Sequence, residues 1–186
     1  ALVEDQMSRL RGALDCTEAH QWYKKSCNEN RFHFGRYTGA SPVPGHPVVK
    51  KDNGSIRKNS KKITALKEEM NSIQDTSIHL DREIKRLTDL AADKTIPDDK
   101  RREHQEELKN QEELRKFFPR VSDESAESIY RWDMQKYPPD ILITNSSMLA
   151  IMLMRHGIHD SAEDLSDADI FDKTRAWLES DDNNVF

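Results

Sequence analysis

Hydrophobic residues at the start of the chain recur every three or four positions and predict helices. The pattern runs from Leu2 to Leu14 and predicts a helix over residues 1–15. A second, shorter helix is predicted over residues 17–27, with Thr17 at its start. The first part of the chain is therefore expected to be helical.

The pattern then changes from helical spacing to alternation. Residues 31–37 alternate and are rich in aromatic side chains, which predicts a strand. Residues 38–56 contain three glycines and three prolines, which predicts an irregular loop. Much later, the apolar residues of 140–145 predict a buried strand bounded by turn formers.

A long hydrophobic seam with alternating spacings of three and four runs through the middle of the chain, and Ser77 is its one polar member. Its positions are Ile63, Leu66, Met70, Ile73, Ser77, Leu80, Ile84, Leu87 and Ala91. Residues 95–97 interrupt it, with Pro97 well placed to begin a new helix. The charged residues 98–118 carry a thinner seam through Leu108, Leu114 and Phe117 or Phe118. Two helices with a short break predict an inserted antiparallel coiled-coil hairpin with solvated charged faces.

Helical and strand patterns alternate again in the last third. Short helices are predicted over 125–134, 147–154 and 170–178, with an acidic loop over 160–169. The predicted order is helix, strand, inserted hairpin, strand, helix and a last strand entered from residues 183–186. This order indicates an α/β layer. The predicted domains are residues 1–49, a hairpin insertion over 50–119, and a second part over 120–186.

The composition of the 186 residues fits a modest core joined to a long solvated element. Hydrophobic residues make up 35 % and charged residues 34 %, with a mean hydropathy of -0.90. The net charge of -5 argues against a generally basic nucleic-acid coat. Cys16 and Cys27 lack the spacing of a zinc site or a disulfide framework, which favours ordinary thiols in the cytoplasm. The longest apolar run, residues 148–154, is far shorter than the ~20 residues that span a bilayer, so no membrane partner is expected.

Three short segments carry the candidate chemistry: residues 1–6 with Arg9, residues 34–39, and residues 138–145 with the helix start that follows. Small polar side chains and backbone amides at the carboxyl ends of strands can hold successive phosphates without reading bases. A helix start adds free amides and a favourable dipole. The candidate nucleic-acid-binding residues are Gln6, Arg9, Arg36, Thr38, Gly39, Thr144, Asn145 and Ser147.

In this order the segments resemble motifs Ia, Ib and Ic of superfamily 2 DNA helicases of the DEAD/DEAH type. The phrases ALVEDQ with RLR, FGRYTG, RWDMQ and PPDILITN with SML resemble those of the large bacterial helicases that include the DISARM anti-phage component DrmA. A helix phrase at residues 170–178 is also similar to one before the family's Walker B strand. The likeness covers residues 1–45 and 120–186 and leaves the hairpin outside. Several phrases in one order are specific, whereas any one alone would be weak.

The resemblance implies a partial RecA-like (P-loop NTPase) domain that contacts DNA in a bacterial ATP-dependent helicase acting in phage defence. ATP and Mg²⁺ would belong to the parent protein, because the chain has no GxxxxGK[ST] loop and no Asp-Glu pair after a hydrophobic strand. In the resembled family the Walker A loop precedes residue 1 and the DExH strand begins near residues 185–186. The chain is thus expected to be a fragment, inactive alone, with no catalytic, cofactor-binding or metal-binding residue of its own.

Simpler interpretations stay open beside this one. Each short segment also fits an ordinary turn, helix cap or solvated face. Arg131, Trp132 and Asp133 favour a local ion pair beside a packed indole, which is a structural role. The hairpin alternatively predicts a protein–protein interaction module. The acidic residues after 160 suggest, less strongly, a metal-dependent nuclease, although they lack the spacing of a calcium loop.

Overall fold

The computed structural model describes residues 2–42, 48–50, 53, 55–154 and 169–180. The helices are α1 (Leu2–Leu14), α2 (Thr17–Ser26), α3 (Ser60–Ala92), α4 (Asp98–Arg115), α5 (Arg131–Lys136), α6 (Ser146–Met154) and α7 (Asp169–Leu178). The strands are β1 (Phe34–Tyr37), β2 (Val48–Lys50), β3 (Ile56–Lys58), β4 (Glu127–Ser128) and β5 (Ile141–Thr144). The fold is mixed α/β and mostly helical. Within the described ranges, no helix has the length and apolar character needed to cross a membrane.

The chain folds as two compact units. The helical unit comprises Ala1–Asn30 and Glu69–Glu127. The sheet unit comprises Arg31–Glu68 and Ser128–Phe186. Each unit therefore combines two separate stretches of sequence. The predicted domain boundaries stay a prediction.

The helical unit contains α1, α2, α4 and the part of α3 from Glu69 onward. The predicted helices over 1–15 and 17–27 are present as α1 and α2, and α4 begins directly after Pro97. Pro97 suits this position because it has no amide hydrogen to leave without a partner. Arg115 at the end of α4 contacts Asp81 in the middle of α3, so α4 returns along α3. Knobs-into-holes packing between them stays a prediction.

The predicted seam describes α3 better than α4. Ser77, Leu80 and Leu87 are buried, whereas Met70 is exposed. On α4 the thinner seam is wrong at its end, because Leu114, Phe117 and Phe118 are all exposed. The covered side chain there is Arg115, whose aliphatic stem can pack while its head is hydrogen-bonded.

The sheet unit contains a three-stranded sheet with the strand order β4-β1-β5. β1 and β5 are parallel and pair from Phe34 with Ile141 to Tyr37 with Thr144. The core beside them consists of Tyr37, Met134, Met148, Met152 and Ile170. Because β1 is buried along most of its length, it forms the centre of this unit.

Gly35 is required by the close packing around β1. A Cβ atom at this position would lie 2.5 Å from Met134 Sδ and 2.8 Å from the Ser128 carbonyl oxygen. Real Cβ atoms do not approach other heavy atoms so closely, so a side chain here would push β4 or α5 away.

Two predictions of secondary structure were wrong. The region 38–56 includes β2, which pairs antiparallel with β3, because Val48 and Val49 favour a strand despite the surrounding glycines and prolines. The helix predicted over 125–134 begins only at Arg131, since residues 127–128 form β4 at the sheet edge. Most of the acidic loop over 160–169 and the predicted strand start near 183–186 lie outside the described residues.

Candidate functional site

The parallel pairing of β1 with β5 brings two of the candidate segments together. Tyr37 and Thr144 are register partners at the ends of their strands, and Thr144 Oγ1 donates a 2.7 Å hydrogen bond to the Tyr37 carbonyl oxygen. Residues 38–41 and 145–147 therefore leave the sheet at the same edge. We call these two stretches the carboxyl edge.

The first stretch is a tight turn held by its own side chains. The Thr38 amide donates to Ser41 Oγ at 3.0 Å, and Ser41 Oγ donates to the Arg36 carbonyl oxygen at 2.5 Å. Thr38 Oγ1 accepts a 3.3 Å hydrogen bond from the Ala40 amide, and Thr38 itself is buried. The hydroxyl of Thr38 therefore serves the turn, and the exposed part of the turn is Gly39 with Ala40.

Gly39 leaves the surface of this turn open. No heavy atom lies within 4 Å of the position that a Cβ at Gly39 would occupy. Its amide has no hydrogen-bond partner within the part of the chain that the structure describes. An unobstructed amide of this kind can approach a ligand oxygen closely.

The second stretch is the beginning of α6. Asn145 Oδ1 accepts a 2.8 Å hydrogen bond from the Met148 amide, and the Asn145 carbonyl oxygen accepts one of 2.9 Å from Leu149. Asn145 is thus the N-cap residue, as its residue type favours. Ser146 and Ser147 are exposed, and the first amides of a helix have no intrahelical acceptor. The partial positive charge of the helix start is therefore directed to solvent at the carboxyl edge.

The remaining candidates are divided between the two units. Arg36 is half-buried in β1 of the sheet unit. Gln6 and Arg9 are exposed on α1 of the helical unit, where Arg9 Nε lies 3.0 Å from Asp5 Oδ2. Six of the eight candidates thus belong to the sheet unit. The binding role of all eight stays a prediction.

Arg131 at the start of α5 contacts the carboxyl edge, and the sequence interpretation missed this contact. Its side chain is 7 % exposed, and its Nη2 donates to the Thr38 carbonyl oxygen. Its Cζ lies 5.3 Å from the centre of the Tyr37 ring. The predicted local ion pair is absent, since no carboxylate pairs with Arg131 among the described residues. Arg131 and Thr38 are 93 positions apart, so no local spacing could reveal this contact.

The helical unit contains buried ionic groups of a different kind. Arg11 makes two hydrogen bonds to Glu127, of 2.6 and 2.8 Å, and both side chains are buried. Asp15 is almost completely buried and accepts hydrogen bonds from Ser125 and the Ala126 amide, beside His20 Nε2 at 2.7 Å. These groups satisfy one another, so they explain how the unit holds together and do not define a ligand site.

Comparison with known proteins finds a relative over almost the whole chain. The chain is 32 % identical to Druantia protein DruE of Escherichia coli (strain UMEA 4076-1) over an alignment of 196 residues. The alignment covers 99 % of this chain and 10 % of that protein, so the chain spans about a tenth of its relative's length. The similarity therefore includes the α3–α4 region, which the resemblance in the sequence left out. No protein-family model matches the chain, and no solved structure matches it significantly.

Proposed function

We propose that the chain is the strand-contacting part of an ATP-dependent superfamily 2 DNA helicase or translocase. In this proposal residues 1–49 and 120–186 form a partial RecA-like domain, and α3 and α4 form an inserted coiled-coil hairpin. One observation carries the proposal: the parallel pairing of β1 with β5 places the Gly39 turn and the start of α6 at one edge. Two sets of unoccupied backbone donors side by side are suited to successive phosphates of one strand.

The role proposed for each residue depends on whether its amide has an acceptor among the described residues. The amides of Gly39, Ser146 and Ser147 would donate to phosphate oxygens. Thr38, Thr144 and Asn145 would support these donors through their hydrogen bonds within the edge. The other proposed contacts are Arg36, Gln6 and Arg9. Backbone contacts of this kind give affinity without base specificity, as a motor that moves along DNA requires.

The activity of the longer protein is part of the same proposal. ATP and Mg²⁺ would bind outside this chain, because it has no phosphate-binding loop and no Asp-Glu pair after a hydrophobic strand. The match to a tenth of DruE supports a much longer parent protein. We further propose a role in bacterial phage defence, on the strength of the helicase resemblance and this match.

The proposal is tested by adding negative charge where the phosphate would bind. Ser147→Glu leaves α6 intact, since an acidic residue in the first turn favours the helix dipole. The charge-matched control is Ser72→Glu at an exposed position of α3. We expect Ser147→Glu to weaken oligothymidine binding about fivefold, which corresponds to ~1 kcal/mol between unit charges in water. Equal affinities of the two variants, measured by fluorescence anisotropy, would exclude phosphate binding at this edge.

A second candidate function is a protein-interaction module formed by α3 and α4. The observation that favours it is the exposed apolar group at the end of α4, where Leu114 and Phe117 are 43 % and 53 % exposed. Leu80 is 6 % exposed within the helical unit, so substituting it would test folding instead of association. Sedimentation of the wild-type chain and of the Phe117→Asp variant over a concentration series tests this function. Self-association of the wild-type chain that the variant loses supports it. A wild-type chain that stays monomeric argues against self-association.

A further inference from the structure

The guanidinium of Arg131 is a buried charge in the sheet unit. It is 93 positions away in sequence from the Thr38 turn, yet its Nη2 donates to the Thr38 carbonyl oxygen. The Tyr37 ring lies on its face, at 5.3 Å from Cζ to the ring centre. Its Nε is fully buried and has no hydrogen-bond partner among the described residues. The guanidinium therefore contacts the carboxyl edge through Nη2, and its set of acceptors within the described residues is incomplete.

The other two arginines that are buried among the described residues show what Arg131 lacks. Arg11 is 8 % exposed and makes two hydrogen bonds to Glu127. Arg115 is 5 % exposed and donates to Asp81. Burying a charge opposes folding unless the charge is paired and hydrogen-bonded. Arg131 thus differs from both in having no anionic partner among the described residues.

We propose that the missing anion is a backbone phosphate and that Arg131 is the cationic ligand of the carboxyl edge. This inference rests on the proposed function and adds a residue that is not among the eight candidate nucleic-acid-binding residues. A phosphate suits this place because Arg131 donates to the turn that also holds the open amide of Gly39. A guanidinium can donate to two phosphate oxygens at once.

The wild-type chain provides the first test, because it avoids any effect of substitution on folding. The Nε–Hε resonance of Arg131 is followed by NMR while oligothymidine is added, and separately while inorganic pyrophosphate is added. We expect a shift of this resonance in both titrations. Oligothymidine binding that leaves the resonance unchanged would overturn the role of Arg131 while the proposed function stands. A response to pyrophosphate without any oligothymidine binding would support an anion site at Arg131 but would refute the proposed function.

The second test separates charge from packing. For Arg131→Met, we expect the slope of log affinity against log salt concentration to fall in magnitude by about 0.7, the contribution of one phosphate on a single strand. Arg131→Lys keeps the charge and should keep the slope, with weaker binding because the fork is lost. A slope unchanged in Arg131→Met would contradict the proposal. If Arg131→Met does not fold, as judged by near-ultraviolet circular dichroism, the wild-type titration decides.

Discussion

Ser77 Oγ accepts a 2.9 Å hydrogen bond from Nη2 of Arg115, and both side chains are buried. The same guanidinium donates from Nε to Asp81 at 2.8 Å and from Nη1 to the Phe118 carbonyl oxygen at 2.8 Å. The one polar position in the hydrophobic seam of α3 is therefore the partner of the buried arginine of α4. Because these bonds form at a single offset of the two helices, they specify the register of α4 along α3.

Removing the hydroxyl at position 77 should destabilise the helical unit. Ser77→Ala leaves one buried donor of Arg115 without its acceptor, at a cost of about 1–2 kcal/mol in the free energy of unfolding. The matched control is Ser72→Ala on the exposed face of the same helix, which shares the gain in helix propensity. Urea unfolding of the two variants provides the comparison. A difference below ~0.5 kcal/mol would show that the bond does not contribute.

Two ion pairs of the helical unit, one between Arg11 and Glu127 and one between Lys24 and Glu124, should differ strongly in their contribution to stability. Glu127→Gln leaves Arg11 with its charge buried and unpaired, and we expect a loss of about 3–5 kcal/mol. The pair between Lys24 and Glu124 is about half-exposed, so Lys24→Ala should cost less than ~1 kcal/mol. The measurement is again the midpoint of urea unfolding. Similar losses of unfolding free energy in both variants would contradict the burial of the ion pair between Arg11 and Glu127.

Gly35 and Gly12 should respond in opposite directions to the same substitution. Gly35→Ala places a methyl group 2.5 Å from Met134 Sδ and 2.8 Å from the Ser128 carbonyl oxygen, and we expect about 1–3 kcal/mol of destabilisation. Gly12 lies within α1, and no heavy atom lies within 4 Å of the position that a methyl group there would occupy. Gly12→Ala should therefore stabilise the chain by about 0.5–1 kcal/mol. Thermal unfolding of both variants tests this, and a neutral Gly35→Ala variant would contradict the close packing of β1.

The turn between α3 and α4 should be sensitive to acid. Asp93 Oδ1 accepts hydrogen bonds from the Thr95 amide at 2.8 Å and from Thr95 Oγ1 at 2.7 Å, and these bonds hold its pKa below the ordinary value of 3.8. Because the folded pKa is depressed, the contribution of this turn to stability is present above 3.8 and is lost as the pH falls through the lower, folded pKa.

An NMR titration of the Asp93 carboxyl group measures this pKa directly. Thr95→Val removes only the hydroxyl donor, so the pKa should move part of the way back toward 3.8. Thr95→Ser keeps the hydroxyl and should keep the depressed pKa. The same carboxyl titrated in concentrated urea provides the unfolded reference. Identical values in the folded and unfolded chain would contradict the hydrogen bonds.

The sequence predicted those elements that depend on local periodicity. The seam of α3 and the alternation of β1 were recognisable because each repeats within a few residues. The exposure of Leu114 and Phe117 was not predictable in this way. The apolar spacing on α4 could not show that the buried side chain there is Arg115. β2 was hidden by the glycines and prolines around its three residues.

The candidate site shows the same division between local and long-range information. Asn145 as an N-cap and Thr38-Gly39 as a turn follow from residue type alone. The register of Tyr37 with Thr144 depends on strands separated by about a hundred residues, and no local pattern encodes it. The contact of Arg131 with Thr38 is equally remote, which is why a local ion pair was the better prediction from the sequence.

The most direct test of the central claim is to map oligothymidine onto the backbone amides of the wild-type chain. In a titration followed by ¹H–¹⁵N NMR, we expect the largest shifts at Gly39, Ser146 and Ser147, the exposed donors of the carboxyl edge. Competition by salt should reverse these shifts together, because phosphate contacts release counterions. Binding that shifts only amides of the helical unit, or no binding at low salt, would contradict the claim that this edge holds a nucleic-acid strand.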